Sequence, residues 1–265
     1  MERLDCRIGW AAARCIIPWP ALALKLHLLV PLGRVLLALA FTTAFALSAR
    51  LLRAVTPSGA MAGAGLAFLL FVAGGPGAFA ALITVFLLTW ATTRMGHRRK
   101  RQLGTAEQQT GRSASQVIAN IGIAAAAAVA GLVAQHPAGL VVSAAALAEA
   151  AADTTSSEVG QAVSESAYLI TDFSRVPVGT DGGISAAGTL AGIAAAALVA
   201  AVCRATGVIA SQWLLPVAAA GVMGMIVDSF LGATFERRRR LNNDLVNFLS
   251  TVAAALFALF LYASR

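Results

Sequence analysis

The sequence predicts an all-α fold, a polytopic transmembrane bundle of about eight to nine helices, and three observations carry that prediction. The 265 residues are 58% hydrophobic and only 12% charged, with a mean hydropathy of +0.78, the balance of an integral membrane protein. Apolar runs of fifteen to twenty-four residues succeed one another between short polar or Gly/Pro breaks, close to the length that crosses a bilayer. Basic residues gather on alternate breaks, as in a multi-pass chain.

The runs fall at 9–30, 35–50, 59–74, 77–93, 117–134, 138–152, 183–203, 208–231 and 246–263. Arg14, Pro18, Pro20, Lys25 and His27 interrupt the first, so residues 1–34 read as an N-terminal hydrophobic segment, membrane-spanning or interfacial. Residues 35–265 read as a single membrane-embedded unit, because no stretch is polar enough for a separate soluble domain. Gly and Pro in GGPG (74–77), QHPAG (135–139) and RATG (204–207) make short turns between neighbouring segments. Cys6, Cys15 and Cys203 lack metal-ligand spacing and are most simply free thiols.

Charge sets the expected orientation. Arg50, Arg53, Arg94, Arg98 to Arg101 (with Lys100 among them), Arg112, Arg175 and Arg237 to Arg240 follow even-numbered segments, thirteen cations against Arg34, Arg204 and Arg265 on the other side. The positive-inside rule then places the larger set, and the N-terminus, in the cytosol. A cell inner membrane is the expected location. The net charge of +8 is explained by orientation and anionic lipid headgroups without nucleic acid.

The chemistry-bearing motifs lie on the expected cytosolic loops or beside them. AEAAADTTSSEVG (148–160) places Glu149 and Asp153 four residues apart on one helical face. Two such carboxylates repel unless a proton or cation lies between them, and magnesium suits a pair completed by substrate phosphates. Glu158 reads either as a further metal ligand or as the glutamate of a Thr155-Ser-Ser-Glu158 capping box. Asp228, in GMIVDSFLGA, has no partner in its own helix and is expected to share the metal with Asp153.

VGTDGGIS (178–185) supplies Gly179, Thr180, Asp181, Gly182, Gly183 and Ser185. A glycine-rich loop feeding a helix N-terminus is a candidate phosphate cradle, with Ser185 placed to cap the helix. Such loops are also ordinary turns. Arg112, Gln116 and Asn120 share one helical face, as do Asn243 and Asn247 in LNNDLVN. They suit nucleotide or phosphate contacts, with Arg112 as anion clamp, or polar adhesion between membrane helices. The runs at 98–101 and 237–240 read as topology and headgroup anchors. Together these residues describe phosphoryl or nucleotidyl transfer to a lipid-borne group.

GRSASQVIAN, AEAAADTTSSEVG, VPVGTDGGIS, DSFLGAT and LNNDLVNFLS resemble, in order and spacing, an integral membrane family catalogued as domain of unknown function ninety-two. That family includes plant phytyl-phosphate kinase and is distantly similar to dolichol kinase and phosphatidate cytidylyltransferase. The resemblance spans roughly residues 35 to 263. It implies that 35–265 is a catalytic domain, a kinase converting a prenyl monophosphate to the diphosphate with CTP or a related nucleotide and Mg2+. Carried over, the acid motif falls on Glu149, Asp153 and Glu158, the glycine motif on Gly179 to Ser185, and the aspartate-serine motif on Asp228 and Ser229. Thr154-Thr155-Ser156 departs from the family's usual aromatic or alanine after Asp-Thr. The implied partners are a prenyl phosphate, a nucleotide and membrane lipids, with a homodimer open as an assembly. A CTP-dependent cytidylyltransferase and a non-enzymatic lipid or small-molecule transporter are the alternatives.

Overall fold

The structure, a computed structural model, describes residues 30–105 and 111–265. The first apolar run lies outside the described residues except for Val30, as do Cys6 and Cys15. The long helices are α1 (Leu32–Leu51), α2 (Pro57–Arg94), α4 (Ala114–Ala134), α5 (Ala138–Val163), α6 (Ala186–Ala205), α7 (Leu214–Leu231) and α8 (Asn243–Ala263), with a short α3 (His97–Leu103) after α2. Six helical stretches among the described residues are long and apolar enough to cross a membrane. The chain is a helical membrane bundle, as expected; the eight to nine expected crossings stand beside these six stretches, one of which is folded in two.

That folded stretch is α2. Gly75, with φ 72° and ψ −168°, breaks its helical path immediately before Pro76, a backbone conformation glycine adopts without the Cβ penalty. The ring centroids of Phe71 and Phe79 lie 5.5 Å apart, whereas eight residues of straight helix would separate them by about 12 Å. Gly59 and Arg94, near opposite ends of the helix, line one cavity. The chain therefore doubles back at Gly75, and the two expected runs become the arms of a helical hairpin.

Helix α5 is the centre of the bundle, packed against α2, α4, α6, α7 and α8. Every residue from Ser143 to Ala152 is buried, because alanine side chains let neighbouring backbones come close. On α6, a Cβ added to Gly192 would stand 2.9 Å from the Ala152 carbonyl oxygen. The sequence predicts a segment ending at 152, but the helix runs on to Val163. Thr154 and Thr155 are buried, and Gly160 lies against the Ser185 hydroxyl, so tertiary packing holds a polar stretch helical.

The segment after α5, expected to be loop throughout, carries a small antiparallel sheet of β1 (Ala167–Leu169), β2 (Arg175–Val176) and β3 (Gly183–Ile184), in the order β2-β1-β3. Tyr168 pairs with Arg175 on one side and Ile184 on the other. The turn between β1 and β2 is closed by the Ser174 N–H donating to Asp172 Oδ1 at 2.9 Å. Hydrogen bonds from Ser174 hold this exposed carboxyl below the ordinary aspartate range. The sheet leads into α6, which Ser185 caps as expected, its hydroxyl accepting the Gly188 N–H at 3.2 Å.

Candidate active site

Helices α5, α7 and α8 bring together acids that are far apart in sequence. Glu149, 1% exposed, lies against α7 where Gly224 leaves room: a Cβ there would stand 2.4 Å from Glu149 Cγ. One turn along α7, the Asp228 carboxyl is within hydrogen-bonding reach of Asp153. The Ser250 hydroxyl of α8 donates to Asp228 Oδ2 at 3.2 Å and also faces Glu149. Thus Glu149, Asp153 and Asp228 form one buried-to-half-buried cluster. Two carboxyls in contact need a proton or cation between them.

The acid field extends toward the sheet. After α7 the chain makes a single π-helical turn, Gly232–Glu236. Gly182, with φ +73°, packs directly on it: a Cβ there would lie 2.3 Å from the Ala233 nitrogen. This contact brings the charge of Asp181 to bear on Glu236, which also senses Asp153. Glu236, two helical turns beyond Asp228, and Ser250 have no counterpart among the sequence-predicted residues. Their helical spacing from Asp228 and Asn247 is the signal that could have found them.

The expected phosphate cradle is only partly free to act as one. The Thr180 N–H donates to Pro177 O at 3.2 Å and the Gly183 N–H to Thr180 O at 2.8 Å, so the turn itself consumes both donors. Gly179 has φ +89° and rests on Thr105. The loop is docked at the acid cluster, with two of its amides satisfied within the turn.

Glu158 is not the cap of a helix. Because α5 is continuous through Thr155, no helix starts there to be capped. Instead Glu158 Oε2 lies 2.5 Å from the Lys100 ammonium, which is 1% exposed. Glu158 also accepts the Thr93 hydroxyl at 3.0 Å, and Lys100 donates to the Thr92 and Thr93 carbonyls at 2.9 and 2.8 Å. Lys100, expected to serve as a headgroup anchor, instead ties α3 to α5 and the end of α2.

Beside the acids lies a cavity of about 600 Å3. Its apolar wall includes Phe45, Ala46, Leu82, Val85 and Phe86, and its polar end Arg53, Arg94, His97, Arg112, Gln116 and Asn120. The Arg112 N–H donates to Ala54 O and the Thr56 N–H to Arg112 O, both at 3.0 Å, a bridge that sets Arg53 and Arg112 at the same end. The Arg112 charge acts on Asp153, and Ala150 of α5 lines the cavity, so cavity and acid cluster adjoin. Gln116 Oε1 also accepts the Ser113 N–H at 2.8 Å in a capping box, and Asn120 Nδ2 donates to Gln116 O at 2.9 Å. Asn247 is half-buried one turn before Ser250, whereas Asn243 is exposed at the start of α8.

Among the described residues, no three His, Cys, Asp or Glu side chains close to metal-ligand spacing. The Asp153–Asp228 pair still fits a hard divalent cation, because magnesium takes one or two carboxylates and completes its shell with water and substrate phosphates.

A family model described as integral membrane protein DUF92 matches residues 40–255. An uncharacterized membrane protein of Methanocaldococcus jannaschii is 30% identical over 186 residues, 69% of this chain and 75% of its own length. One from Synechocystis sp. is 30% identical over 199 residues, 73% and 77% of the two chains. The chloroplastic protein VTE6 of Arabidopsis thaliana is 28% identical over 224 residues, 79% and 66%. No solved structure matches the chain.

Proposed function

The chain belongs to the DUF92 family of integral membrane proteins, and from that membership and the Asp153–Asp228 contact we propose that it is a prenyl-phosphate kinase. It transfers the terminal phosphoryl group of CTP, or of a related nucleotide, to a prenyl monophosphate held in the membrane. The family includes a plant phytyl-phosphate kinase, which supports the substrate class. The observation that carries the mechanism is the meeting of Asp153 and Asp228 beside a cation-lined cavity.

Asp153 and Asp228 would hold Mg2+, with Glu149 behind them. An ion held there would supply positive charge to offset that of the nucleotide phosphates. Arg112 acts on the acceptor side, where its guanidinium binds a phosphate oxygen pair and keeps that phosphate next to Asp153. Ser250 fixes the rotamer of Asp228 through its hydrogen bond. The acceptor phosphate is already ionised near neutral pH, so the residues need not remove a proton. Their task is to orient donor and acceptor. The loop from Gly179 to Ser185, docked on the π-helical turn, would flank the nucleotide, with Asn247 on its other side.

The test is purified protein with terminally labelled CTP, other nucleotides and a panel of prenyl alcohols and monophosphates. Labelled prenyl diphosphate and unlabelled CDP are expected. A CMP-lipid with pyrophosphate release would replace the kinase reading with a cytidylyltransferase, and no turnover with any pair would refute both.

A further inference from the structure

We propose that the hairpin of β1 and β2 is an interfacial anchor, seated on anionic headgroups of the bilayer the chain itself spans, and that this seating steadies the 179–185 loop over the acid cluster. It is independent of the kinase reading. The stretch Ser211–Glu236 is one of those able to cross a membrane. Within it Leu215, Ala219, Ile226 and Phe230 are exposed, at spacings that fall on one helical face. In a bilayer such a stripe faces lipid tails. It ends at Phe235, 40% exposed on the π-helical turn, where the chain folds back on itself. There the Arg239 N–H donates to Glu236 O at 2.7 Å and the Arg240 N–H to Phe235 O at 3.0 Å. Arg237 to Arg240 are all exposed, held in this turn where tails give way to headgroups.

The tip of the hairpin meets that turn. The charge of Arg237 acts on Asp172, the residue before Phe173. Phe173 is 69% exposed and has φ +56°, a left-handed conformation in which a bulky side chain is an outlier. Its N–H donates to Leu169 O at 2.8 Å, so the turn is closed with the ring left outside. Tyr168 and Arg175, paired across the two strands, are exposed beside it. An aromatic ring among arginines has the composition of an interfacial segment, with the ring at the acyl boundary and guanidiniums on headgroup oxygens. Arg175 and Arg237 to Arg240 outweigh the single charge of Asp172, so the patch suits an anionic surface. The arginine run alone reads as a headgroup anchor from sequence; the aromatic tip set beside it does not.

The same sheet carries the loop. Gly183 of β3 pairs with Leu169 of β1, and Gly182 packs on Ala233 of the π-helical turn, just beyond Asp228. The hairpin and the arginine turn therefore hold the two sides of one contact. Seating both on the same headgroups restrains that contact and the loop that makes it.

A nitroxide on a single cysteine at Phe173, in a cysteine-free full chain in nanodiscs, tests the anchor, and a label at Phe230 gives the lipid reference. In phosphatidylcholine with phosphatidylglycerol, the Phe173 label's accessibility to oxygen over that to an aqueous nickel complex should approach the reference. In phosphatidylcholine alone the ratio should fall about threefold or more. Arg238→Gln with Arg240→Gln should give the lower ratio in both lipids. Hydrogen exchange tests the coupling. The Thr180 and Gly183 amides, which close the turn of the loop, should exchange about threefold or more faster in phosphatidylcholine alone or in Phe173→Asn. Asparagine is at ease in the left-handed region, so this variant keeps the turn and removes the ring. Phe173→Trp should exchange like wild type. A Phe173 label as open to nickel in anionic as in neutral lipid would overturn the anchor and leave the tip to a soluble partner. Slow exchange restored in phosphatidylcholine by inorganic phosphate would put a free anion in place of the lipid surface and overturn it too. Unchanged exchange in Phe173→Asn would overturn the link to the loop. Neither readout uses nucleotide or turnover, so the kinase reading stands or falls separately.

Discussion

The Lys100 ammonium lies 2.5 Å from Glu158 Oε2, joining the short helix after α2 to the central helix across 58 positions of sequence. Removing one partner strands a buried charge, whereas replacing both with apolar groups does not. Glu158→Gln is expected to lower stability by about 3–5 kcal/mol while the folded fraction keeps its specific activity. Lys100→Met with Glu158→Leu should recover much of that loss. Thermal unfolding in detergent, beside turnover per folded molecule, checks both. A Glu158→Gln protein that melts normally but is inactive would move Glu158 into the active site.

Asp153→Asn and Asp228→Asn are expected to reduce phosphoryl transfer by several kcal/mol of transition-state stabilisation, and neither should lower the melting temperature. The second expectation follows from geometry, because neutralising one of two touching carboxyls removes repulsion. Glu149→Gln should be partly rescued by excess magnesium. A magnesium titration of turnover for the three variants is the measurement, and near-normal activity in both aspartate variants would remove the metal assignment.

Glycines of this chain should separate by what surrounds them. Gly224→Ala places a methyl 2.4 Å from Glu149 Cγ and is expected to cost about 1–3 kcal/mol, with loss of activity as Glu149 is displaced. Gly65, in the first arm of α2, has nothing within 4 Å of an added Cβ, so Gly65→Ala should gain about 0.4–1 kcal/mol. Melting temperatures of the two variants should move in opposite directions.

Single cysteines at Arg98, Phe173 and Arg238 in a cysteine-free chain should resist an impermeant thiol reagent in intact cells, and one at Gln135 should react. All four positions are exposed on the protein, so the difference reports sidedness. Labelling at two of the first three would reverse the orientation drawn from the arginine distribution.

Much of the architecture was legible because bilayer length and turn chemistry are local properties. The Gly75–Pro76 break, for example, can be read from GGPG alone. The polar end of α5 was not legible. Residues 153 to 163 look like a loop by composition, and contacts from α2, α3, α6 and α7 keep them helical. Lys100 sits in a basic run that reads as a surface anchor, and its partner lies beyond the reach of any sequence pattern. Within the site, Glu149, Asp153 and Asp228 stood out because acids are rare in apolar helices. Ser250 and Glu236 did not, since a serine and a terminal glutamate are ordinary in sequence; Ser250 acquires meaning from the crossing of α7 and α8, and Glu236 from the Gly182 loop packed on the π-helical turn.

The position of α5 at the centre of the bundle has a consequence for biogenesis. It is synthesised after α1 to α4 and before α6 to α8, yet carries acids that cost about 2.5–3.5 kcal/mol each at the middle of a lone membrane helix. The early part of the chain offers it only two of its walls, so its stable placement waits for the last three helices to arrive. A chain stopped after Val163 is therefore expected to leave a cysteine at Glu149 reactive toward a membrane-permeant alkylating reagent, and the complete chain to bury it. Equal reactivity in the two would mean that the first helices alone suffice to house it.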